Sequence, residues 1–176
     1  MTRIGVFSDS HGDERSLERL LEQMGRLDAA CFLGDIASDA AYLEARFAAM
    51  PHHPVFYAVR GNNDFASMLP DSRMAEIGGK RLYLTHGHLH VNLMSLALRA
   101  KENEADVALF GHTHQPLCEY AYGVLLLNPG SAGSYCRGGR PRASVLEIEG
   151  DRLRVKDVVL WVWNQKRKCG KFLKTA

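Results

Sequence analysis

Near its start the chain reads Arg3-Ile4-Gly5-Val6-Phe7-Ser8-Asp9-Ser10-His11, an apolar run that ends on a carboxylate and an imidazole. We predict a buried strand over Arg3–Ser8, because short apolar runs rich in branched residues are typical of strands. A polar segment, 9–13, follows, and apolar residues then recur at helical spacing up to Gly25, which often ends helices. The recurring residues are Leu17, Leu20, Leu21 and Met24.

The same order repeats in the next part of the chain. Strands are predicted over Ala30–Leu33 and Val55–Val59, and between them a helix over Asp39–Met50 that Pro51 closes. Apolar strands that alternate with amphipathic helices are typical of parallel sheets. We therefore expect a parallel sheet with helices on both of its faces.

The second half of the chain has a different pattern, dominated by short strands around glycine turns. Gly78-Gly79 separates Arg73–Ile77 from Arg81–Thr85, and such a two-residue connection favours a hairpin. This alternation predicts antiparallel pairing, with one helix over Val91–Ala100. The remaining strands are predicted over Asp106–Phe110, Leu117–Tyr122, Val124–Asn128, Ser144–Ile148 and Leu153–Val159.

Length and composition indicate one ordinary globular domain. The chain has 176 residues, of which 46% are hydrophobic and 24% are charged, and a domain averages roughly 150 residues. The longest apolar run, Val158–Trp163, is far shorter than the ~20 residues that span a bilayer. No signal peptide is recognisable around Ile4–Phe7. We expect neither secretion nor membrane binding.

Cysteines and charges suggest where the protein works and what it does not bind. Four cysteines at irregular spacings, without a C-x-x-C pair, fit a reducing cytoplasm. The net charge is +2, but segment 164–176 contains basic residues and no acids, so residues 1–163 are mildly acidic. An acidic domain argues against nucleic-acid binding. We predict one domain over 1–163 and a solvated basic tail. Trp161 and Trp163 favour either an edge strand or a dimer contact, so a homodimer or higher homo-oligomer stays open.

Residues of metal-ligand type follow five of the predicted strands. In open α/β sheets, ligands bind in the crevice beyond the carboxyl ends of the strands. Each motif alone has an ordinary explanation as a turn or a helix cap, but so many on one edge favour a shared site. The set consists of Asp9, His11, Asp35, Asn62, His86, His112 and His114.

The donor types and their number indicate which ions bind. Oxygen and nitrogen donors without thiolates suit Mn²⁺, Fe or Zn²⁺. Seven candidate ligands exceed the needs of one tetrahedral ion and suffice for two ions that share a carboxylate. Such pairs bind both the attacking and the leaving oxygen of a phosphoryl displacement. The sequence thus predicts a two-metal hydrolytic site.

The order of the motifs resembles that of calcineurin-like metallophosphoesterases, particularly their small bacterial and archaeal phosphodiesterase branch. The resemblance extends from Asp9 to about Ser131 and includes Asn128-Pro129-Gly130-Ser131. It implies a two-sheet α/β sandwich of mixed parallel and antiparallel strands flanked by helices. The matching motifs are Asp9-Ser10-His11, Gly34-Asp35, Gly61-Asn62-Asn63-Asp64, His86-Gly87-His88 and Gly111-His112-Thr113-His114.

The resemblance also implies two divalent ions bridged by Asp35. Mn²⁺ is the favoured metal, with Fe, Zn²⁺, Ni²⁺ or Co²⁺ as alternatives. A metal-bridging hydroxide would hydrolyse a small phosphodiester or nucleotide-like substrate. Besides Asp35, the first ion would be held by Asp9, His11 and His114, and the second by Asn62, His86 and His112.

One position departs from the family pattern. Asn63 stands where many members have a histidine that protonates the leaving group, and an amide cannot act as a general acid. Asn63 can instead donate a hydrogen bond to a phosphate oxygen. His88 is the nearest candidate for the missing acid, although a role behind the ligands or at the surface is favoured for it. Arg60 is a candidate contact to the substrate phosphate, with a surface ion pair as the alternative, and Asp64 is expected to orient the neighbouring loop.

Two other function classes compete with this hypothesis. A protein-interaction scaffold could use the same fold with or without metal, as a retromer subunit of the superfamily does, although every expected ligand position is filled here. A doubly wound nucleotide-binding protein is not supported, because the chain contains neither G-x-G-x-x-G after the first strand nor G-x-x-x-x-G-K-[ST].

Overall fold

The computed structural model describes residues 1–133 and 140–160. Predictions for Cys136, Cys169, the two tryptophans and the basic tail lie outside this part of the chain. The described elements are β1 (Thr2–Phe7), α1 (Glu14–Met24), β2 (Ala29–Phe32), α2 (Ala37–Ala48), β3 (Val55–Ala58), β4 (Ser72–Ile77), β5 (Lys80–Thr85), α3 (Leu93–Glu102), β6 (Val107–Leu109), β7 (Leu117–Ala121), β8 (Val124–Asn128), β9 (Arg142–Glu149) and β10 (Arg152–Val159).

Two five-stranded sheets are formed, with the orders β10-β9-β1-β2-β3 and β4-β5-β6-β8-β7. In the first sheet β1, β2 and β3 are parallel, as predicted, and the β9–β10 hairpin adds antiparallel strands beside β1. The predicted two-sheet α/β sandwich of mixed strands is confirmed.

The antiparallel pairing predicted for the second half is only partly right. The hairpins β4–β5 and β7–β8 are antiparallel, but β6 pairs in parallel with both β5 and β8. The reason is that α3 returns the chain between β5 and β6, so these strands run in the same direction. The pattern of short strands around glycines therefore did not predict that β6 runs parallel to its neighbours.

The prediction of helices on both faces of the first sheet is wrong. Phe7 points outward and packs with Leu17 of α1 in a helix-covered cluster. Ile4 points to the opposite face, where it packs with Leu84 and Leu109 of the second sheet. A second sheet thus supplies the apolar cover that we assigned to helices, and α3 covers the outer face of that second sheet.

Local capping fixes where the helices begin. The Asp13 carboxylate accepts a hydrogen bond from the Ser16 amide at 3.0 Å ahead of α1. The α3 helix begins at Leu93, two residues after its predicted start, because Asn92 accepts a bond from the Ser95 amide at 2.9 Å. None of the helices in the described ranges is long and apolar enough to cross a lipid bilayer.

Candidate metal centre

The carboxyl ends of five strands meet at one edge of the sandwich and bring the predicted ligands together. Backbone hydrogen bonds join the loops directly: the Asp9 amide donates to Gly34 at 3.0 Å, and the Gly111 amide donates to His86 at 2.9 Å. Asp9 and His11 follow β1, Asp35 follows β2, Asn62 follows β3, His86 follows β5, and His112 and His114 follow β6.

Backbone strain is concentrated in these loops. Five of the seven predicted ligands adopt left-handed φ values, a conformation that costs roughly 1–2 kcal/mol for residues other than glycine. Asp and His tolerate it better than most side chains, and such strain clusters at functional sites. The strained residues are Asp9 (φ 55°), His11 (φ 50°), Asp35 (φ 54°), His112 (φ 65°) and His114 (φ 57°).

Asp9 is fully buried, and its two oxygens differ sharply. Oδ2 accepts hydrogen bonds from the Ser8 hydroxyl at 2.6 Å and the His112 amide at 3.0 Å. Oδ1 accepts no well-directed bond from the described residues, although the Nε2 atoms of His114 and His86 lie 3.2 and 3.9 Å away. Burial raises the pKa of Asp9, but the neighbouring imidazoles of His114 and His86, together with the Ser8 hydrogen bond, hold that pKa below its usual value.

Asp35 stands between imidazoles that the family resemblance assigns to different ions. Its Oδ2 lies 4.0 Å from His11 Nε2, and its Oδ1 lies 3.6 Å from His86 Nε2. Both oxygens also accept hydrogen bonds from Asn63, from the backbone amide at 3.0 Å and from the side-chain amide at 2.6 Å. A carboxylate in this position can contact two cations at once.

Asn62, His86 and His112 form the other side of the site. His86 Nδ1 lies 2.6 Å from the Leu33 carbonyl oxygen, which can only accept, so Nδ1 carries the proton and Nε2 is free to bind. The Asn62 Oδ1 atom lies 3.1 Å from His86 Nε2 and 2.8 Å from His112 Nδ1. Amide oxygen and imidazole nitrogens therefore converge on one point.

The donor set fits divalent cations. Two groups of three residues each place one donor atom within 4.8 Å of the others: Asp9 with His11 and His114, and Asp9 with Asp35 and His86. Carboxylate oxygens and imidazoles are typical ligands of Mn²⁺, Fe and Zn²⁺. The described free cysteines, Cys31 and Cys118, belong to neither group.

Two glycines allow these loops to approach so closely. A Cβ atom on Gly61 would lie 2.0 Å from Asp35 Oδ1, and one on Gly111 would lie 1.9 Å from the Ser8 hydroxyl oxygen. Both separations are shorter than any van der Waals contact, so a side chain at either glycine would displace the ligand loops. The glycines that precede Asn62 and His112 are therefore required by the site itself.

Two buried carboxylates hold the ligand loops from behind. Asp64 accepts hydrogen bonds from the Gly61 amide at 2.7 Å and the Asp35 amide at 3.1 Å, which places it where the sequence predicted. Asp39 accepts bonds from the Ser10 hydroxyl and the Gly12 amide, and sequence reasoning missed it. It was missed because an acidic residue in the first turn of a helix is common: its charge interacts favourably with the helix dipole, whether or not it also supports a site.

The three residues predicted for catalysis or substrate binding lie around the ligands in different environments. Arg60 pairs with Asp71, Nε to Oδ1, at 2.6 Å and does not contact the ligands. Asn63 donates to Asp35. The His88 ring lies 5.4 Å from that of His86, and its buried Nδ1 has no hydrogen-bond partner among the described residues. Burial and repulsion from neighbouring imidazoles hold the pKa of His88 below its usual value.

The model of the calcineurin-like phosphoesterase superfamily domain matches residues 2–151, which contain the whole site. This chain belongs to that superfamily. The match includes β1 to β9 and every predicted ligand, so the predicted resemblance is confirmed. As a calcineurin-like phosphoesterase, the protein belongs to the class of enzymes that hydrolyse phosphoric esters.

Related phosphoesterases cover most of the chain. YsnB of Bacillus subtilis, named a probable metallophosphoesterase, is 36% identical over 155 residues, which span 86% of this chain and 87% of YsnB. Phosphodiesterase YfcE of Escherichia coli K12 is 34% identical, with 88% of this chain and 91% of YfcE covered. This calcineurin-like phosphoesterase therefore has relatives of nearly the same extent.

Solved structures share the fold. A protein from Streptococcus pneumoniae described as a predicted phosphoesterase superposes with a TM-score of 0.70 at 29% identity, covering 90% of this chain and 89% of its own. Vps29 of Entamoeba histolytica, solved with zinc, superposes with a TM-score of 0.67 over 90% of this chain and 99% of its own. At 22% identity, Vps29 shows the shared fold alone.

Proposed function

We propose that this protein is a phosphodiesterase that uses two divalent metal ions. The observation that carries the proposal is the Asp9 Oδ1 atom, which is buried, lacks a well-directed hydrogen bond among described residues and belongs to both groups of candidate ligands. The imidazole nitrogens of His114 and His86, 3.2 and 3.9 Å away, stand near this buried oxygen, and a bound cation would offset the cost of burying its charge. Membership of the phosphoesterase superfamily supplies the reaction class.

In this proposal the ligands divide between two ions that share Asp35. The position of Asp35 between His11 and His86 supports a bridging role. Bound dications would supply a hydroxide nucleophile by lowering the pKa of a water molecule, and they would offset negative charge on the phosphate. Mn²⁺ is the proposed metal. With Asp35, one ion is assigned to Asp9, His11 and His114, and the other to Asn62, His86 and His112.

The residues beside the metal ligands are assigned to the substrate. The Asn63 side-chain amide donates to Asp35 at 2.6 Å, and from the same loop it can donate to a phosphate oxygen. Arg60 is assigned to the substrate phosphate as well, in competition with its ion pair to Asp71. Neither group can protonate a leaving group at neutral pH.

His88 is the proposed proton donor, and its environment limits that role. Because its pKa is held below the usual value, the imidazole is mostly neutral at pH 7 and rarely carries the proton it would donate. Substrates whose leaving groups need little protonation are therefore preferred. A small phosphodiester or nucleotide-like compound with an acidic alcohol fits this requirement.

Metal content and hydrolysis test the proposal together. Protein purified without chelator should hold about two divalent ions per chain by elemental analysis, in line with a two-metal site. After chelator treatment it should lose, and on Mn²⁺ addition regain, hydrolysis of bis(4-nitrophenyl) phosphate. The chelated sample is the matched control. Inactivity toward activated diesters and monoesters with Mn²⁺, Fe²⁺, Zn²⁺, Ni²⁺ and Co²⁺ would overturn the enzyme assignment.

A protein-interaction scaffold is the second candidate function, because the fold, which Vps29 shares, does not by itself require turnover. A scaffold would keep its fold and bind its partner without turning over a phosphoester, whether or not metal is bound. Metal-dependent turnover therefore separates the two candidates. The cytoplasmic location and the homo-oligomeric state stay predictions.

A further inference from the structure

A cavity of about 280 Å³ lies directly beside the candidate metal centre. It is bounded on one side by Gly111 and His112, and on the other by the loop after β5 and the first turn of α3. The His112 imidazole contacts Asn62 of the metal centre at 2.8 Å and also lines this cavity. The His112 side chain therefore borders both the metal centre and this cavity.

The cavity has an apolar interior. Leu96 and Phe110, which are 2% and 3% exposed, line it together with Leu93, and Val91 stands 94% exposed among the lining residues. None of the described lining residues is an acid, a lysine or an arginine. Burial, together with the nearby Arg99 charge, holds the pKa of His90 below its usual value, so this lining imidazole is also mostly neutral.

The size and the wall of the cavity favour a ring over a long chain. At about 280 Å³ it is slightly smaller than the usual range of ligand pockets, roughly 300–1,000 Å³. Phe110 offers an aromatic wall, against which planar rings pack well.

We propose that this cavity, defined by Leu93, Leu96, Phe110 and His112, binds a planar aromatic arm of the phosphodiester substrate. The proposal rests on the proposed function, because the phosphate of the same molecule must sit at the metals. It narrows the substrate class to diesters that carry an aryl or nucleobase group on one arm. The apolar residues around the cavity then set specificity without taking part in bond breaking.

The adjoining larger cavity, about 540 Å³, is a less suitable place for this arm. It is lined by charged and polar groups that include Asp71 and Arg99, and it borders none of the candidate metal ligands. A substrate arm would have to pass His90 and Val91, which both cavities share, before reaching it. The smaller cavity is the one that meets the site.

Two neighbouring substitutions separate this role from a general effect on the helix. Leu93→Asp places a charge in the cavity, and Met94→Asp places the same charge one residue along the first turn of α3, outside the residues that line it. Both changes put an acid near a helix N-terminus, where acids are tolerated. Met94 is 56% exposed and Leu93 38%, so Val91→Asp serves as a further variant if Leu93→Asp does not fold.

The probes are phenylphosphonate and methylphosphonate, titrated calorimetrically into the Mn²⁺-loaded full chain. The wild type and Met94→Asp should bind phenylphosphonate about tenfold more tightly, the typical value of a well-packed apolar group. Leu93→Asp should bind the two probes with equal affinity. Equal binding of both probes by the wild type, or a phenyl preference that survives Leu93→Asp and Val91→Asp, would overturn the aromatic subsite. Failure of the proposed function looks different, since neither probe would then bind.

Discussion

The Asp39 carboxylate, in the first turn of α2, accepts a hydrogen bond from the Ser10 hydroxyl at 2.5 Å. The same Oδ2 atom accepts the Gly12 amide at 2.8 Å. Asp39 is 1% exposed and spans 29 residues of sequence to reach Ser10, so it ties the second helix to the loop between Asp9 and His11. It holds the backbone that carries two candidate ligands without reaching the site itself.

Removing Asp39 should weaken metal binding through that loop. We expect Asp39→Ala to lower Mn²⁺ affinity by roughly 10–100-fold, the usual effect of losing a group that orients ligands. Unfolding free energy should fall by about 1–3 kcal/mol, because the Ser10 hydroxyl and the Gly12 amide lose their partner. Calorimetric metal titration and urea denaturation measure the two effects. Glu44→Ala, exposed on the same helix, is the control, and equal metal affinity in both variants would contradict the role.

The bridging carboxylate can be identified from metal stoichiometry. We expect Asp35→Asn to lose both ions, because an amide oxygen without charge would no longer offset the repulsion between two dications. Elemental analysis of wild type, Asp35→Asn and Asp9→Asn gives the comparison. Asp9 belongs to both candidate ligand groups. If Asp35→Asn retains two ions while Asp9→Asn holds none, the bridging role passes to Asp9.

Asn63 should affect turnover more than metal content. Its side-chain amide contributes a hydrogen bond to Asp35 but no ligand atom to either candidate group. Asn63→Ala is therefore expected to keep about two ions per chain and to reduce kcat for an aryl diester by roughly tenfold, as loss of one hydrogen bond to a charged group predicts. Steady-state kinetics and elemental analysis on the same preparation test this. Loss of metal would reassign Asn63 to ligand support.

The close approach at Gly61 should make it intolerant of any side chain. In Gly61→Ala the new Cβ would fall 2.0 Å from Asp35 Oδ1, so the loop must move and metal affinity should drop at least about tenfold. Gly123→Ala is the control: its φ of +83° makes the variant strained, yet nothing lies within 4 Å of the new atom. We expect it to lose about 1 kcal/mol of stability with unchanged metal binding. Equal metal affinity in both variants would exclude steric displacement.

The contact between α1 and α2 should give a pH-dependent contribution to stability. Hydrogen bonding to Arg46 lowers the pKa of Glu18 from 4.5, and the Tyr42 hydroxyl adds to this at 2.8 Å. A lowered folded-state pKa means that the stabilisation is present above pH 4.5 and disappears as pH falls through the folded value. Because the ion pair between Glu18 and Arg46 is partly exposed, Glu18→Gln should lower the free energy of unfolding by at most about 1 kcal/mol at neutral pH.

Thermal melts at pH 7 and at low pH measure this difference. The gap between wild type and Glu18→Gln should close in acid, where both side chains are neutral. Glu22→Gln, an exposed change on the same helix, should show little effect at either pH. A gap that persists in acid would mean that packing rather than charge connects the helices.

Local sequence patterns were sufficient for the parallel strands that begin the chain and for the ligands at their ends. The run that ends on Asp9, and the glycine before Asp35, signal a buried strand followed by a turn, and both features are encoded by adjacent residues. The direction of β6 was not accessible in this way. It depends on α3 crossing the second sheet, which no short pattern around Gly111 records.

The sequence by itself determined which donor atoms the protein offers and that they stand after strands, because side-chain chemistry and hydrophobic period are local properties. Only the tertiary structure decided that Asp39 supports Ser10, that Asp9 leaves one oxygen without a well-directed bond, and that an apolar cavity adjoins His112. These relationships join residues far apart in the chain. They arise when two sheets pack face to face, and packing between distant segments leaves no periodic signal in the sequence.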